Sequence, residues 1–269
     1  MRKTAFSLIE LAIVLIIIGL LTAGVTAASK LIDQSKINKV AAELSNHKTS
    51  YMTFFLTYKE YPGDMSRAIE TFDLTVCGNP LHPPCRDRNG DGDGKVEVAA
   101  NFANESKRAW EHLSYAELLE HDMTYDNNPR HDNTATKAGS PPTSIENTCY
   151  AIAHISEYSS GFHADMAHTF MPDGILNSNG ISMGENASVG CTSTHRVTQN
   201  RTDYYHPNGL DYHSIHASFA AKLDTKIDDS YGNSGNIIGR IHEACQIDGT
   251  YAVDSDRTQC SLFYSFNDS

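Results

Sequence analysis

Basic residues are few in this chain. Its 269 residues include 21 lysines and arginines against 33 aspartates and glutamates, which gives a formal net charge of −12 at pH 7. A surface with this charge repels the phosphate backbone of nucleic acids and, in general, anionic lipid headgroups. We therefore expect no nucleic-acid partner.

Signatures of common enzyme sites are also missing. The sequence has no HExxH zinc motif and no phosphate-binding Gly-Lys-Ser/Thr loop, and we expect no nucleophile elbow. The six cysteines form no CxxC pair, and the 13 histidines show no strong zinc-ligand spacing. We therefore expect that the protein is not an enzyme, and a membrane-anchored secreted enzyme is the remotest alternative.

One long stretch, from Leu11 to Ser29, lacks charge altogether. As a helix it has roughly the 20 residues that a bilayer crossing requires. Residues 1–5 in front of it are basic and too short for an ordinary secretory signal. Glu10 adds a carboxylate to the apolar region, where a charge costs on the order of 3 kcal/mol and needs a partner. Cleavage after residue 5 would supply one, because the new α-amino group of one subunit can meet the Glu10 of its neighbour.

This region resembles the class III signal of type IV pilins and type II secretion pseudopilins. The residues that carry the resemblance are the short basic leader, Phe6 as first mature residue, Ser7, Glu10 and Gly19. Two positions depart from the usual pattern, since Ala5 stands in place of a glycine and Ala27 in place of a helix-bending proline.

The resemblance implies a processing and assembly route. A prepilin peptidase would cut between Ala5 and Phe6, so that residues 1–5 are a leader peptide, and would methylate the new N-terminus. The chain would be stored in a bacterial inner membrane as a single-pass protein with a periplasmic body. An inner-membrane assembly platform would then build it into a helical filament, with Phe6 and Glu10 guiding assembly, as an extracellular pilus or a periplasmic pseudopilus.

The apolar pattern continues past the membrane segment. Residues 6–30 form the predicted transmembrane and filament-core helix, and residues 31–61 form its amphipathic continuation, which Pro62 ends. The whole helix would be roughly 80 Å long. Apolar residues recur three and four positions apart in its second half, at Leu31, Ile32, Ile37, Val40, Ala41, Leu44, Tyr51, Phe54, Phe55 and Tyr58.

Residues 62–269 are predicted to form one globular, disulfide-bonded body. Turns are predicted at 172–174 and 177–180. The predicted fold class is α+β, and the resemblance implies the pilin-like arrangement of a long N-terminal helix on an antiparallel sheet. Apolar spacing predicts helices at 66–72, 101–121 and 212–229, and strands at 148–155, within 162–183, near 236–241, near 250–253 and at 261–266.

All six cysteines follow the membrane segment. Beyond an inner membrane the compartment is oxidising, so an even set of cysteines predicts three disulfides. The connectivity is open, and we expect pairing between nearest neighbours along the chain. The predicted pairs are Cys77 with Cys85, Cys149 with Cys191, and Cys245 with Cys260, of which the last resembles the C-terminal disulfide loop of many pilins.

Residues 87–97 are the best candidate for a ligand site. Oxygen-bearing side chains alternate here with glycines that let the backbone curl, which suits Ca²⁺, a cation that prefers hard oxygen ligands. The match to an EF-hand fails at its twelfth position, where Val98 stands. The alternative is a solvated acidic turn. The predicted calcium ligands are Asp87, Asn89, Asp91, Asp93 and Glu97.

A second acidic group comprises Asp224, Asp228 and Asp229, at the C-terminal end of a predicted helix. Carbonyl dipoles already make this end negative, and two of the acids are one helical turn apart, so a compensating group is needed. That group is a cation, the backbone amides between residues 231 and 236, or Lys222 and Lys226. We regard this as the weaker of two metal sites.

The sequence thus predicts a structural subunit of a type IV pilus or type II secretion pseudopilus. The first alternative is a minor pilin that acts as a calcium-dependent adhesin or ligand-binding tip, because the body is large and rich in loops.

Overall fold

The computed structural model describes residues 8–74, 88–96, 105–120, 141–145, 148–155, 178–185, 215–239, 245–255 and 260–266. Four helices lie in these ranges: α1 (Leu8–Tyr58), α2 (Ala68–Thr71), α3 (Glu105–Tyr115) and α4 (Ala217–Ile227). Six strands accompany them: β1 (Thr148–Ile155), β2 (Ser178–Glu185), β3 (Ile237–Gly239), β4 (Gln246–Ile247), β5 (Thr250–Tyr251) and β6 (Leu262–Ser265).

The main sheet is antiparallel and has four strands in the order β1-β2-β6-β3. A separate hairpin pairs β4 with β5. Helix α1 contacts α3 and α4, and α3 contacts β1. The α+β class predicted from the sequence is therefore confirmed.

Helix α1 has 51 residues and two different halves. The second half packs into the body through one inward stripe, whose members are three, four or seven residues apart: Ile37, Val40, Leu44, Tyr51 and Phe54. In the part of the chain that the structure describes, the side chains of the first half are exposed, from Leu8 at 87% to Ile32 at 56%. The helix ends at Tyr58 because Lys59 takes a φ of 62°, in the left-handed region that does not continue a helix.

By length and composition, α1 can cross a membrane. Its most apolar stretch has a mean hydropathy of 2.7, and none of that stretch is buried within the chain. A signal sequence near an N-terminus has the same character. The predicted transmembrane segment therefore agrees with the structure at the level of a long, uncovered apolar helix.

Several predicted boundaries are wrong. Helix α3 ends at Tyr115 rather than near residue 121, because Glu117 has a φ of 56° and Leu118 N–H donates to Leu113 O at 2.9 Å. Ile215 lies in a β-bridge with Cys260, not in a helix.

The turn predicted at 177–180 is also wrong, since Gly180 pairs within β2. A Cβ atom at this position would lie 2.3 Å from Phe263 Cζ. Glycine is therefore needed because the Phe263 ring occupies that space, rather than for a turn.

Candidate metal centre

The site begins at the turn that follows α1. Gly63 takes a φ of 96°, which turns the chain so that Asp64 points inward, and Asp64 is only 2% exposed. Its Oδ1 accepts hydrogen bonds from Gly92 N–H at 2.8 Å and Asp93 N–H at 3.0 Å, and its Oδ2 accepts one from Gly94 N–H at 2.9 Å. One buried carboxylate thus shapes the loop of residues 88–96.

Glycines make this close approach possible. A Cβ atom on Gly90 would lie 2.2 Å from the carbonyl carbon of Asp64, so only glycine fits. Gly92 and Gly94 have φ values of 78° and 91°, which place successive N–H groups on the same side of the loop.

Two further carboxylates lie on the loop itself. Asp91 Oδ1 accepts a hydrogen bond from Asp93 N–H at 3.1 Å, and Asp93 Oδ1 accepts one from Lys95 N–H at 2.9 Å. One oxygen from each of Asp64, Asp91 and Asp93 lies within 4.8 Å of the others. Burial raises the pKa of Asp64 to about 6, against the hydrogen bonds from Gly94 and Gly92, and the charges of Asp93 and Asp91 raise it further. We call these three residues the loop triad.

The calcium ligands predicted from the sequence and the residues of the loop triad overlap only in part. Asp91 and Asp93 belong to the loop triad, while Asp87 and Glu97 lie outside the described residues. The Oδ1 atom of Asn89 accepts a hydrogen bond from Ile69 N–H at 2.9 Å, so this side chain caps the start of α2. Sequence analysis missed Asp64, and its only signal was the Tyr-Pro-Gly-Asp turn.

Side chains of helix α3 hydrogen-bond the backbone of the loop of residues 88–96. His112 is fully buried: its Nδ1 accepts from Gly63 N–H and its Nε2–H donates to Arg88 O, both at 2.9 Å. Burial lowers the pKa of His112 to about 4, so the ring is neutral at pH 7. Arg108 Nη1 donates to Asn89 O at 2.6 Å, and Glu105 Oε1 accepts from Asp91 N–H at 3.1 Å.

The sheet holds the other end of the loop. Asn179 of β2 accepts from Val96 N–H and donates to Gly94 O, both at 3.0 Å, and His154 N–H of β1 donates to Val96 O at 2.8 Å. The loop triad is therefore fixed between the end of α1, helix α3 and the sheet.

The structure also brings the second acidic group together, since one oxygen from each of Asp224, Asp228 and Asp229 lies within 4.8 Å of the others. Asp224 is fully buried and accepts from Ser230 N–H at 3.1 Å and from the Tyr251 hydroxyl at 2.8 Å. Burial raises its pKa to about 6.

The other two acids bind the following loop. Asp228 Oδ2 accepts from the N–H groups of Asn236 and Ile237, and Asp229 Oδ1 accepts from Tyr231 N–H at 2.8 Å. Backbone amides, one of the three options left open by the sequence, therefore donate to this group.

No family model matches this chain, and none of the curated proteins or solved structures compared with it matches either.

One serine motif escaped the sequence analysis. Residues 180–184 read Gly-Ile-Ser-Met-Gly and match the GxSxG pattern of a nucleophile elbow. An elbow requires a sharp turn from a strand into a helix, but Ser182 lies inside β2, 1% exposed, between Ala151 of β1 and Phe263 of β6. This geometry does not present a nucleophile.

The remaining predicted residues divide between described and undescribed positions. The Cys245–Cys260 disulfide is confirmed, with Cα atoms 4.6 Å apart. Cys149 is also disulfide-bonded, but Cys77, Cys85 and Cys191 lie outside the described residues, so their pairing stays a prediction. Ala5 and Phe6 lie outside them as well, and Glu10 lies in the first turn of α1.

Proposed function

We propose that this chain is a subunit of a helical filament of the type IV pilus or type II secretion pseudopilus class. The observation that carries the proposal is the division of α1. Its second half buries the stripe from Ile37 to Phe54 in the body, while its first half presents a long, mostly apolar surface that the described residues leave exposed. Such a surface needs lipid or other copies of itself to cover it.

In the proposed function, lipid covers the apolar half of α1 first, and other copies of the same segment cover it after assembly. The first half of α1 rests in the inner membrane after synthesis and packs against the same segment of neighbouring subunits after assembly. Glu10 pairs with the α-amino group of Phe6 on a neighbour, created when a prepilin peptidase removes residues 1–5. The body, which has a net acidic charge, faces outward.

The intact mass of the chain in sheared extracellular filaments of its native cell tests this proposal. We expect a subunit that lacks residues 1–5, carries one added methyl group and has lost six hydrogens to three disulfides. A processed chain confined to the cell envelope favours the pseudopilus over the pilus. A chain with residues 1–5 still attached overturns the proposal and leaves a plain membrane anchor.

The second candidate function is a minor subunit that uses calcium to shape an adhesive or ligand-binding tip. The observation in its favour is the loop triad, in which Asp64 brings a third carboxylate to the two on the loop. Carboxylate oxygens are the donors that Ca²⁺ prefers. In this proposal Asp64, Asp91 and Asp93 hold the ion, and the ion neutralises their mutual repulsion. Surface binding that is lost on chelation, with assembly intact, would distinguish this role from the first.

A further inference from the structure

One carboxylate of α1 attaches the helix to parts of the body that lie 101 and 107 positions further along the chain. Glu43 accepts hydrogen bonds from Ser144, through its N–H at 3.1 Å and through its hydroxyl, and from the Tyr150 hydroxyl at 2.8 Å. Both oxygens of the carboxylate take part. This side chain therefore links α1 to the segment before β1 and to β1 itself.

His47 lies one helical turn after Glu43 on the same helix. Its ring centroid is 5.0 Å from that of Trp110 in α3 and 5.0 Å from that of Tyr150 in β1, and it meets both rings edge to face. The imidazole thus lies at the junction of three elements. We call the residues of this junction the α1 latch: Glu43, His47, Trp110, Ser144 and Tyr150.

The latch suits the neutral form of His47. Burial lowers the pKa of this imidazole to about 4, although the charges of Glu43 and Glu120 act in the opposite direction. Lys48 lies over the ring of Tyr264 rather than against His47. Among the described residues, the titratable groups that face the imidazole come from α1, from the segment after α3 and from β1: Glu43, Glu120 and Tyr150.

We propose that the α1 latch is a pH-sensitive attachment, which opens in mildly acidic surroundings and releases the adjoining part of α1 from the body. An open latch hydrates His47, so protonation at low pH favours the open form. Protonation of Glu43 acts in the same direction, because an uncharged carboxyl group accepts hydrogen bonds less strongly. All of these contacts lie within one copy of the chain, so the proposal does not depend on the proposed filament.

The difference between the closed and open latch determines the size of the effect. With a pKa of about 4 when closed and the ordinary 6.5 when open, proton binding to His47 favours opening about twentyfold more at pH 5 than at pH 7. The contribution of the closed latch to stability is therefore complete above about pH 7 and is lost progressively as the pH falls from 6.5 toward 4.

Hydrogen exchange of the full-length chain in mild detergent tests the proposal. Opening should expose the Ser144 amide and the amides of residues 40–47, because a released helical segment loses the packing that maintains it. After correction for the intrinsic effect of pH on exchange, we expect their opening equilibrium to rise about twentyfold from pH 7 to pH 5. Amides in the middle of β2 should exchange far more slowly at both pH values, since they open only when the sheet unfolds.

Two substitutions at position 47 remove the titrating group. His47→Phe keeps an aromatic ring in the latch, and His47→Gln keeps a polar side chain. In both variants the opening equilibrium should change by less than about threefold between pH 7 and pH 5. His216→Gln is the matched control, because His216 is exposed at the start of α4, and it should keep the wild-type response.

Tyr150→Phe tests the geometry of the latch independently of the histidine. It removes the hydrogen bond to Glu43 and keeps the ring, so opening should increase about tenfold at both pH values while the pH dependence remains. The emission of Trp110, the single tryptophan of the chain, should shift to longer wavelength as the latch opens. Water then reaches a side chain that is buried in the closed latch.

Three results would overturn the proposal. The first is a wild-type pH dependence in both variants at position 47. The second is a joint increase in the exchange of the latch amides and the β2 amides, which would show that acid unfolds the whole body instead of opening the latch. The third is an opening equilibrium that Tyr150→Phe leaves unchanged at both pH values.

Discussion

At the scale of single residues, Asp64 has the largest structural role in the candidate site. It is buried, it accepts three backbone hydrogen bonds, and it faces two further carboxylates. A pKa raised to about 6 means that the folded chain holds a proton that the unfolded chain releases at lower pH. In the absence of a cation, ionisation of Asp64 therefore removes stability as the pH rises from about 4 to about 6.

Calcium should reverse this loss, because it binds the ionised form of the triad. At a concentration of about 100 times its dissociation constant it adds roughly 2.7 kcal/mol. For a body of this size that raises the midpoint of thermal unfolding by about 5 to 10 °C at pH 7, with a much smaller increase at pH 5. Differential scanning calorimetry with calcium and with chelator at both pH values measures the effect.

Comparing calcium with chelator at the same pH cancels the contribution that the buried histidines make to stability. Burial lowers the pKa of His47 and of His112 to about 4, so both destabilise the fold as the pH falls below 6.5, with or without calcium. Asp91→Asn with Asp93→Asn should abolish the calcium response, while Asp229→Asn in the second acidic group should retain it. If neither calcium nor chelator changes the midpoint of thermal unfolding at pH 7, the loop triad is not a calcium site.

The site could be predicted from the sequence only in part. The alternation of oxygen side chains and glycines marks Asp91 and Asp93, because their roles depend on neighbours a few positions away. Asp64 acts on N–H groups 28 to 30 positions further along the chain. No local pattern carries such a contact, since it depends on how α3 and the sheet position the loop.

At the scale of secondary structure elements, α1 and β1 were the most predictable. Both are long: α1 joins an uncharged apolar run to a regular apolar spacing in its second half, and β1 is a nearly continuous apolar run, so α1 and the strand at 148–155 appear where they were predicted. The two-residue strands β4 and β5 are set by pairing across a turn and by the Cys245–Cys260 disulfide rather than by periodicity. Short elements of this kind depend on tertiary contacts that a single sequence does not display.

The two halves of α1 should respond differently to the same substitution. Leu44 is 2% exposed in the core, and Leu31 is 72% exposed. Leu44→Ala should lower the free energy of unfolding of the body by about 2 to 5 kcal/mol, because it leaves a cavity. Leu31→Ala should change it by about 0.5 kcal/mol or less. Denaturant unfolding of the full-length chain in mild detergent, followed by tryptophan fluorescence of the buried Trp110, measures both.

Equal losses for the two variants would show that the first half of α1 packs against the body, contrary to the structure. A loss confined to Leu44→Ala would show that the stability of the body does not depend on the segment before Ile37. The exposed half would then be available for membrane or filament contacts.

At the scale of the whole molecule, polarity is strongly divided. The most apolar stretch of α1 is uncovered, whereas the disulfide-bonded body contributes most of the acidic residues behind the net charge of −12. In the proposed filament this division would place apolar helices at the centre, away from water, and acidic bodies at the surface, where their repulsion would keep filaments apart. One carboxylate, Glu10, breaks the division because it lies in the first turn of α1.

Glu10→Ala should therefore separate membrane insertion from assembly. Loss of the carboxylate makes the helix more apolar, so the chain should stay in the membrane fraction and residues 1–5 should still be removed. Filament yield should fall about tenfold or more, because the α-amino group of Phe6 would enter the filament core without its partner, and an unpaired buried charge costs several kcal/mol. Glu70→Ala, which removes an exposed carboxylate from α2, is the matched control and should assemble normally. If Glu10→Ala formed filaments at the wild-type yield, pairing between Glu10 and the α-amino group of Phe6 on a neighbour would not be what aligns the subunits.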